Sequence, residues 1–234
     1  MNRQSIAAVI AGLLALPTSA LAESRTLEVP TFHGVDASAG IHVVASGGKP
    51  ASVVADASNP KDLSELRFEV RDGVLTLWYD WSIGQIFDWS KRNVTVTIGS
   101  ELLDSLEAAA GASIEADGLM GEDIDLEASS GASIRTSAIE GMFYSIESSS
   151  GARIETSGFC TSATIEVSSG ASVAAKALDC DKVKLEVSSG ASLEITARQS
   201  VDAEVSSGGH AAVYGKPGVD HLETGSGGSV DFPG

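Results

Sequence analysis

The sequence predicts an all-β chain: a single-stranded, right-handed parallel β-helix of about 20-residue coils with a less regular N-terminal cap. Three observations carry this. A Ser-Ser-Gly-Ala-Ser-like stretch recurs seven times, with glycines at Gly111, Gly131, Gly151, Gly170, Gly190, Gly208 and Gly227, in steps of 18 to 20 residues. A glutamate stands four residues before every one of them: Glu107, Glu127, Glu147, Glu166, Glu186, Glu204 and Glu223. Each glutamate is flanked mostly by apolar residues, as in Leu106-Glu107-Ala108 and Leu185-Glu186-Val187, the period-two pattern of a strand with one buried face.

Within a repeat, a second short strand follows the glycine, marked by Ile114, Ile134, Ile154, Val173, Leu193, Ala211 and Val230. Ser-Ser-Gly between the strands suits a tight corner. Glycine reaches positive φ without strain, and serine hydroxyls can satisfy corner amides or form ladders from coil to coil. A unit of this size cannot bury a face alone, but stacked copies can. Parallel pairing at about 4.8 Å per coil makes the regular part about 29 Å long, and parallel crossovers favour the right hand.

The first residues read as an export signal. Arg3 supplies the positive end, Ile6 to Leu16 the apolar run, and Ala20-Leu21-Ala22 the cleavage site. The run is too short for a membrane span. The organisation predicted is a signal peptide over 1–22, an irregular cap over 23–100 with a hairpin and a Trp-rich loop, and regular coils over 101–234, the last two forming one domain. The expected location is periplasmic or secreted. Formal charge is −17 for the whole chain and −18 without a leader whose one charged residue is Arg3. That balance disfavours nucleic acid and anionic lipid as partners, and no membrane insertion is expected.

In the cap region, strands are expected around Leu27, Val29 and Phe32, over Ile41 to Val44 and at Val53-Val54. Asn59-Pro60 is a helix start, with a capping side chain and then proline in the first turn. Asp72-Gly73 between two alternating runs signals a hairpin. A strand from Asn93 to Ile98 completes the segment. Cys160 and Cys180 each lie ten residues before a repeat glycine, so they occupy one position on neighbouring coils. The coil spacing is within disulfide reach, and an oxidising compartment permits the bond.

The segment around Phe32 and Gly40-Ile41-His42, the hairpin and the serial Ser-Gly coils together resemble the bacterial "putative auto-transporter adhesin, head GIN domain" family over most of residues 30–232. The resemblance implies a β-helical exported domain without established enzymatic residues.

For function, two features stand out. Trp78, Tyr79, Trp81, Phe87 and Trp89 lie together, with polar groups among them. Aromatic rings beside hydrogen-bonding groups suit sugar faces or a protein partner, and equally a hydrophobic plug on the solenoid. A glycan or a cell-envelope protein is the partner class this suggests. The glutamate column is a weak metal candidate: hard cations take several oxygens, but a solvated acidic face that keeps sheets apart needs no ion. Lys184 and Arg135 are placed to offset part of the charge, Arg135 between Glu115 and Glu155. No cofactor is implied. The serine columns lack a recurring His-Asp partner, so no nucleophile is indicated, and His33, His42, His210 and His221 read as structural or solvated. The reading is a non-enzymatic exported domain for adhesion or envelope contact. Its rival is a carbohydrate-active β-helix enzyme, a lyase or hydrolase, which needs convergent acids in a cleft.

Overall fold

The computed structural model describes residues 23–80, 93–137 and 139–233; the expected signal peptide and most of the Trp-rich loop lie outside them. The chain is nearly all strand. In order it forms β1 (Glu23–Thr26), β2 (Gly34–Ala37), β3 (His42–Gly47), β4 (Ser52–Ala57), α1 (Pro60–Glu65), β5 (Leu66–Arg71), β6 (Val74–Tyr79) and β7 (Val94–Ser100). The regular coils follow with β8 (Ser105–Ala108), β9 (Ser113–Asp117), β10 (Met120–Ala128), β11 (Ser133–Ser137), β12 (Ile139–Ser148) and β13 (Arg153–Val167). The last are β14 (Ser172–Val187), β15 (Ser192–Val205), β16 (His210–Tyr214), β17 (Gly218–Thr224) and β18 (Ser229–Asp231).

Equivalent strands pair in parallel and in register from coil to coil, the defining arrangement of a β-solenoid. Leu106, Leu126, Ile146, Ile165, Leu185 and Ala203 stack as one inward column. Ile114, Ile134, Ile154, Val173, Leu193 and Ala211 stack as the second. All of these are essentially fully buried. Neighbouring coils therefore shelter each other's apolar side, which no coil could do alone.

The corners are two-residue turns with positive φ at both central positions, Ser189 at 54° and Gly190 at 70° in one of them. That is the type I′ geometry, closed here by the Ala191 amide donating to the Ser188 carbonyl at 3.1 Å. The expected serine hydroxyl ladder is not what links corners. The link is backbone: Gly190 N–H donates to the Ser207 carbonyl at 3.1 Å, and the other corners repeat this bond. Coil spacing lets main-chain groups meet directly, which leaves the hydroxyls to solvent.

Cys160 and Cys180 sit in register and form a disulfide, with Cα atoms 4.5 Å apart. Gly158 has a different task from the corner glycines. A Cβ there would lie 2.3 Å from the Ile139 carbonyl oxygen of the adjacent coil.

The N-terminal part departs from expectation in two ways. First, the segment around Leu27, Val29 and Phe32 is not a strand. The strand lies earlier, at β1, and pairs antiparallel with β4. Pro30 lacks an amide to donate to a ladder, while Leu27 and Phe32 still reach the core. Second, within the irregular N-terminal part, β2 and β3 themselves form a coil of the regular kind. Ser38-Ala39-Gly40 is a corner, with φ of 57° and 75° at its central residues. β2 lies between β6 and β8, and β3 between β7 and β9, all parallel. The layer order is thus β6/β7, then β2/β3, then β8/β9. The chain lays down the second layer before the first. Outside β6/β7, β5 and β4 run antiparallel to β6 and β7 and close that edge. Helix α1 joins them, capped by the Asn59 side chain accepting from Lys61 N–H at 3.1 Å, with Pro60 in the first turn. The β5–β6 hairpin turns through Asp72 and Gly73, both at positive φ.

One column residue is mismatched to its surroundings. Ser148 is buried and its hydroxyl has no hydrogen-bond partner, where the equivalent residues are Ala128 and Val167. Ser148→Ala is expected to raise unfolding stability by about 1 kcal/mol, since it removes an unsatisfied polar group. Ile165→Ala, one coil on, is expected to lower it by about 2–5 kcal/mol. Chemical denaturation of the two variants checks both signs.

Candidate functional surface: a carboxylate column and an aromatic connection

The strand before each corner places one side chain outward at the glutamate position. Register pairing sets Glu107, Glu127, Glu147, Glu166, Glu186, Glu204 and Glu223 on successive coils. The column has an eighth member that the sequence reading missed: Asp36 pairs with Glu107. Its signal was available, because Asp36 stands four residues before Gly40. It was obscured by the long interval between Gly40 and Gly111.

Stacked carboxylates repel, and the effect is visible at the N-terminal end of the column. Glu107 has its pKa raised by burial and then by Asp36. Glu127 is raised by burial and then by Glu107. Asp36 is raised by burial and by Glu127, against a hydrogen bond from Thr76 that lowers it. Further along, positive groups intervene. Lys184 Nζ lies 3.4 Å from Glu186, and His221 Nε2 lies 4.0 Å from Glu223. On the face after the corner, Arg135 bridges Glu155 at 3.1 Å and Glu115 at 3.8 Å.

Near the C-terminal end, Asp202, Glu204 and His221 bring one ligand-type atom each within 4.8 Å of the others. The Asp202 Oδ1 atom is shielded and has no hydrogen-bond partner. Two carboxylates and an imidazole are a partial donor set for a divalent cation. They are also an ordinary arrangement for an acidic surface in which the histidine supplies the counter-charge.

The other histidines are structural. His33 Nδ1 lies 2.8 Å from Asp104 Oδ1, and the ring packs against the hairpin turn at Gly73. His42 and His210 share a column otherwise held by Thr95, serines and Arg153. Their Nδ1 atoms meet Ser113 Oγ at 2.8 Å and Ser229 Oγ at 3.0 Å on the next coil.

Of the aromatic candidates, Trp78 and Tyr79 end β6, while Trp81, Phe87 and Trp89 lie outside the described residues. Trp78 is half-buried, opposite Arg67. Tyr79 is only 3% exposed and donates its hydroxyl to the Asp62 carbonyl at 3.2 Å, so it faces the cap interior, not a surface partner. The placement of the connection itself follows from pairing. β6 and β7 stack on β2 and β3, and β2 and β3 are joined by a four-residue corner, residues 38–41. Residues 80–93 therefore stand in the chain where a corner would be.

Solved structures share this architecture. A putative adhesin from Bacteroides fragilis superposes with a TM-score of 0.80 at 17% identity, covering 92% of this chain and 98% of its own. A putative lipid binding protein from Parabacteroides distasonis gives 0.68 at 16% identity, covering 91% and 97%. A putative adhesin from Parabacteroides merdae gives 0.66 at 12% identity, covering 91% and 96%. At these identities the likeness is one of fold. No curated protein matches the sequence. Residues 31–217 match the family described as "Putative auto-transporter adhesin, head GIN domain", and the chain belongs to that family.

The carboxylates with raised pKa values set a pH dependence. Their folded-state pKa lies above the unfolded value, so their contribution to stability is fully present below the unfolded pKa. It is lost as pH rises through the folded one. Thermal stability is therefore expected to rise on acidification from neutral pH toward the upper carboxylate range. Glu107→Gln should stabilise the chain at pH 7 by up to about 1 kcal/mol, from two relieved contacts in water at low salt, and flatten the profile. Melting curves from pH 7 to pH 5 test this; a steeper profile in the variant would contradict it.

Proposed function

We propose that this chain is an exported, non-enzymatic β-solenoid that makes contact at the bacterial surface or envelope. Membership of the adhesin-head family and the adhesin-like neighbours support the surface role. The observation that carries the finer reading is the aromatic connection at residues 80–93, which interrupts the first coil at a corner and is tethered to a paired strand on each side. The strands on either side of it, β6 and β7, are each paired on both sides. Trp81 and Trp89, with Trp78 at the base, are the anchors in this reading, and a glycan or an envelope protein is the partner class.

The acidic column runs along the shaft, with carboxylates spaced coil by coil. That spacing suits a solvated flank that resists side-to-side sheet pairing. An inverting or retaining glycosidase needs two acids facing across a substrate, which a straight row does not supply. The flank also disfavours anionic lipid.

Trp81→Ala and Trp89→Ala are expected to weaken glycan or cell-surface binding by tenfold or more each, an effect of about 1.4 kcal/mol or more typical of aromatic anchors, with melting temperature unchanged. A glycan array and a whole-cell binding assay provide the readout. Turnover of a polysaccharide by the purified protein, abolished by one carboxylate substitution, would replace this reading with the enzymatic one.

A further inference from the structure

The two ends of the solenoid are treated differently. At the N-terminal end, β4, β5 and α1 cover the edge of the β6/β7 layer, and Leu63, Leu66, Leu75 and Leu77 are buried there. At the other end, among the described residues, β17 pairs with β15 alone and β18 with β16 alone. Every residue of β17 is exposed. The inward columns run out into solvent here. Val183 and Val201 are buried, but Val219 above them is 48% exposed; Leu185 and Ala203 are buried, but Leu222 is 46% exposed.

We infer that this face self-associates: β17 pairs antiparallel with β17 of a second copy about a two-fold axis. The argument is independent of the adhesion reading. The exposed face is the edge by which each earlier coil binds the next; between two copies the strands meet antiparallel, where within the chain they are parallel. Head-to-tail stacking would set β17 against β5 or β1, which pair on one side only at the other end. A closed, isologous pair is inferred instead because β17 is complementary to itself.

The sequence of β17 selects a register. Relative to β15, the strand carries an irregularity at Asp220, since Val201 pairs with Val219 and Asp202 with His221. Val219 and Leu222 thus both continue inward columns. An antiparallel pairing that sets Val219 opposite Leu222 of the second copy places Asp220 opposite its His221. Apolar meets apolar and acid meets base, each pair twice by symmetry. A slip of one residue one way opposes Asp220 to itself, and the other way sets Val219 against Glu223. Both are disfavoured by like charge or by burial of a carboxylate. The net negative charge of each copy is spread along the shaft. With a screening length of about 8 Å at physiological salt, only the last coil's charges oppose association.

The test is sedimentation of the purified full chain from about 0.1 to about 100 μM, the span of ordinary reversible dimers. A monomer–dimer equilibrium is expected, lost in the Val219→Lys/Leu222→Lys variant. Because those changes could loosen the last coil, the charge pair gives a second measure. Asp220→His alone sets histidine against histidine, and His221→Asp alone sets aspartate against aspartate. Each is expected to weaken self-association by about tenfold, while an equimolar mixture of the two recovers dimer through complementary pairs. A wild-type chain that stays monomeric at the highest concentration overturns the inference, whether or not it binds a foreign strand. So does a dimer that survives the lysine substitutions, or a mixture no better than its components.

Discussion

In-register parallel pairing between successive coils is the constraint on which the rest of this structure depends. Once equivalent residues are held one strand spacing apart, whatever the sequence repeats becomes a column. Leucine, isoleucine and valine become a continuous core. Two cysteines at matching positions become a disulfide. Arg135 becomes a clamp between Glu115 and Glu155. The same geometry forces seven glutamates and Asp36 into one row, where burial and mutual repulsion raise pKa values at its start. The row persists because backbone ladders and apolar columns outweigh a repulsion of under about 1 kcal/mol per pair in water.

A solenoid of this kind has two raw edges, and each must be managed. This chain manages the first by laying down its second layer first. β2 and β3 form a complete coil, the chain then passes outside to make an antiparallel layer, and it returns through β6 and β7 to fill the gap. The antiparallel strands cover the apolar ends of the β6/β7 layer and leave β5 and β1 as short outer strands, each paired on one side. Tyr79 and α1 are tied to this closure, which explains why an aromatic residue in a Trp-rich stretch is buried. The last coil has no such layer among the described residues, and its apolar columns end in half-exposed valine and leucine.

The relation between this architecture and a surface role is mechanical. A shaft stiffened by ladders on every coil and tied by Cys160–Cys180 offers a fixed base for whatever its interruptions carry. Most coils are uninterrupted. The exception is the long connection between β6 and β7, placed where all later coils turn in two residues. The acidic column sits on the strands before the corners, with Lys184 and His221 beside its later members.

Legible along the chain were the coil length, the corner residues, the identity of both core columns, the glutamate row, the hairpin at Asp72-Gly73, the helix start at Asn59-Pro60 and the cysteine pairing. These are all consequences of local conformational preference or of a short repeat, and a period of about 20 residues is a property of the chain before it folds. Long-range packing set the layer order at the N-terminus, the place of Asp36 at the head of the acid row, the backbone nature of the corner links and the burial of Tyr79. Those depend on which distant strands become neighbours. A break of some seventy residues between Gly40 and Gly111 hides that adjacency, because sequence periodicity records spacing along the chain and not the order in which layers are stacked.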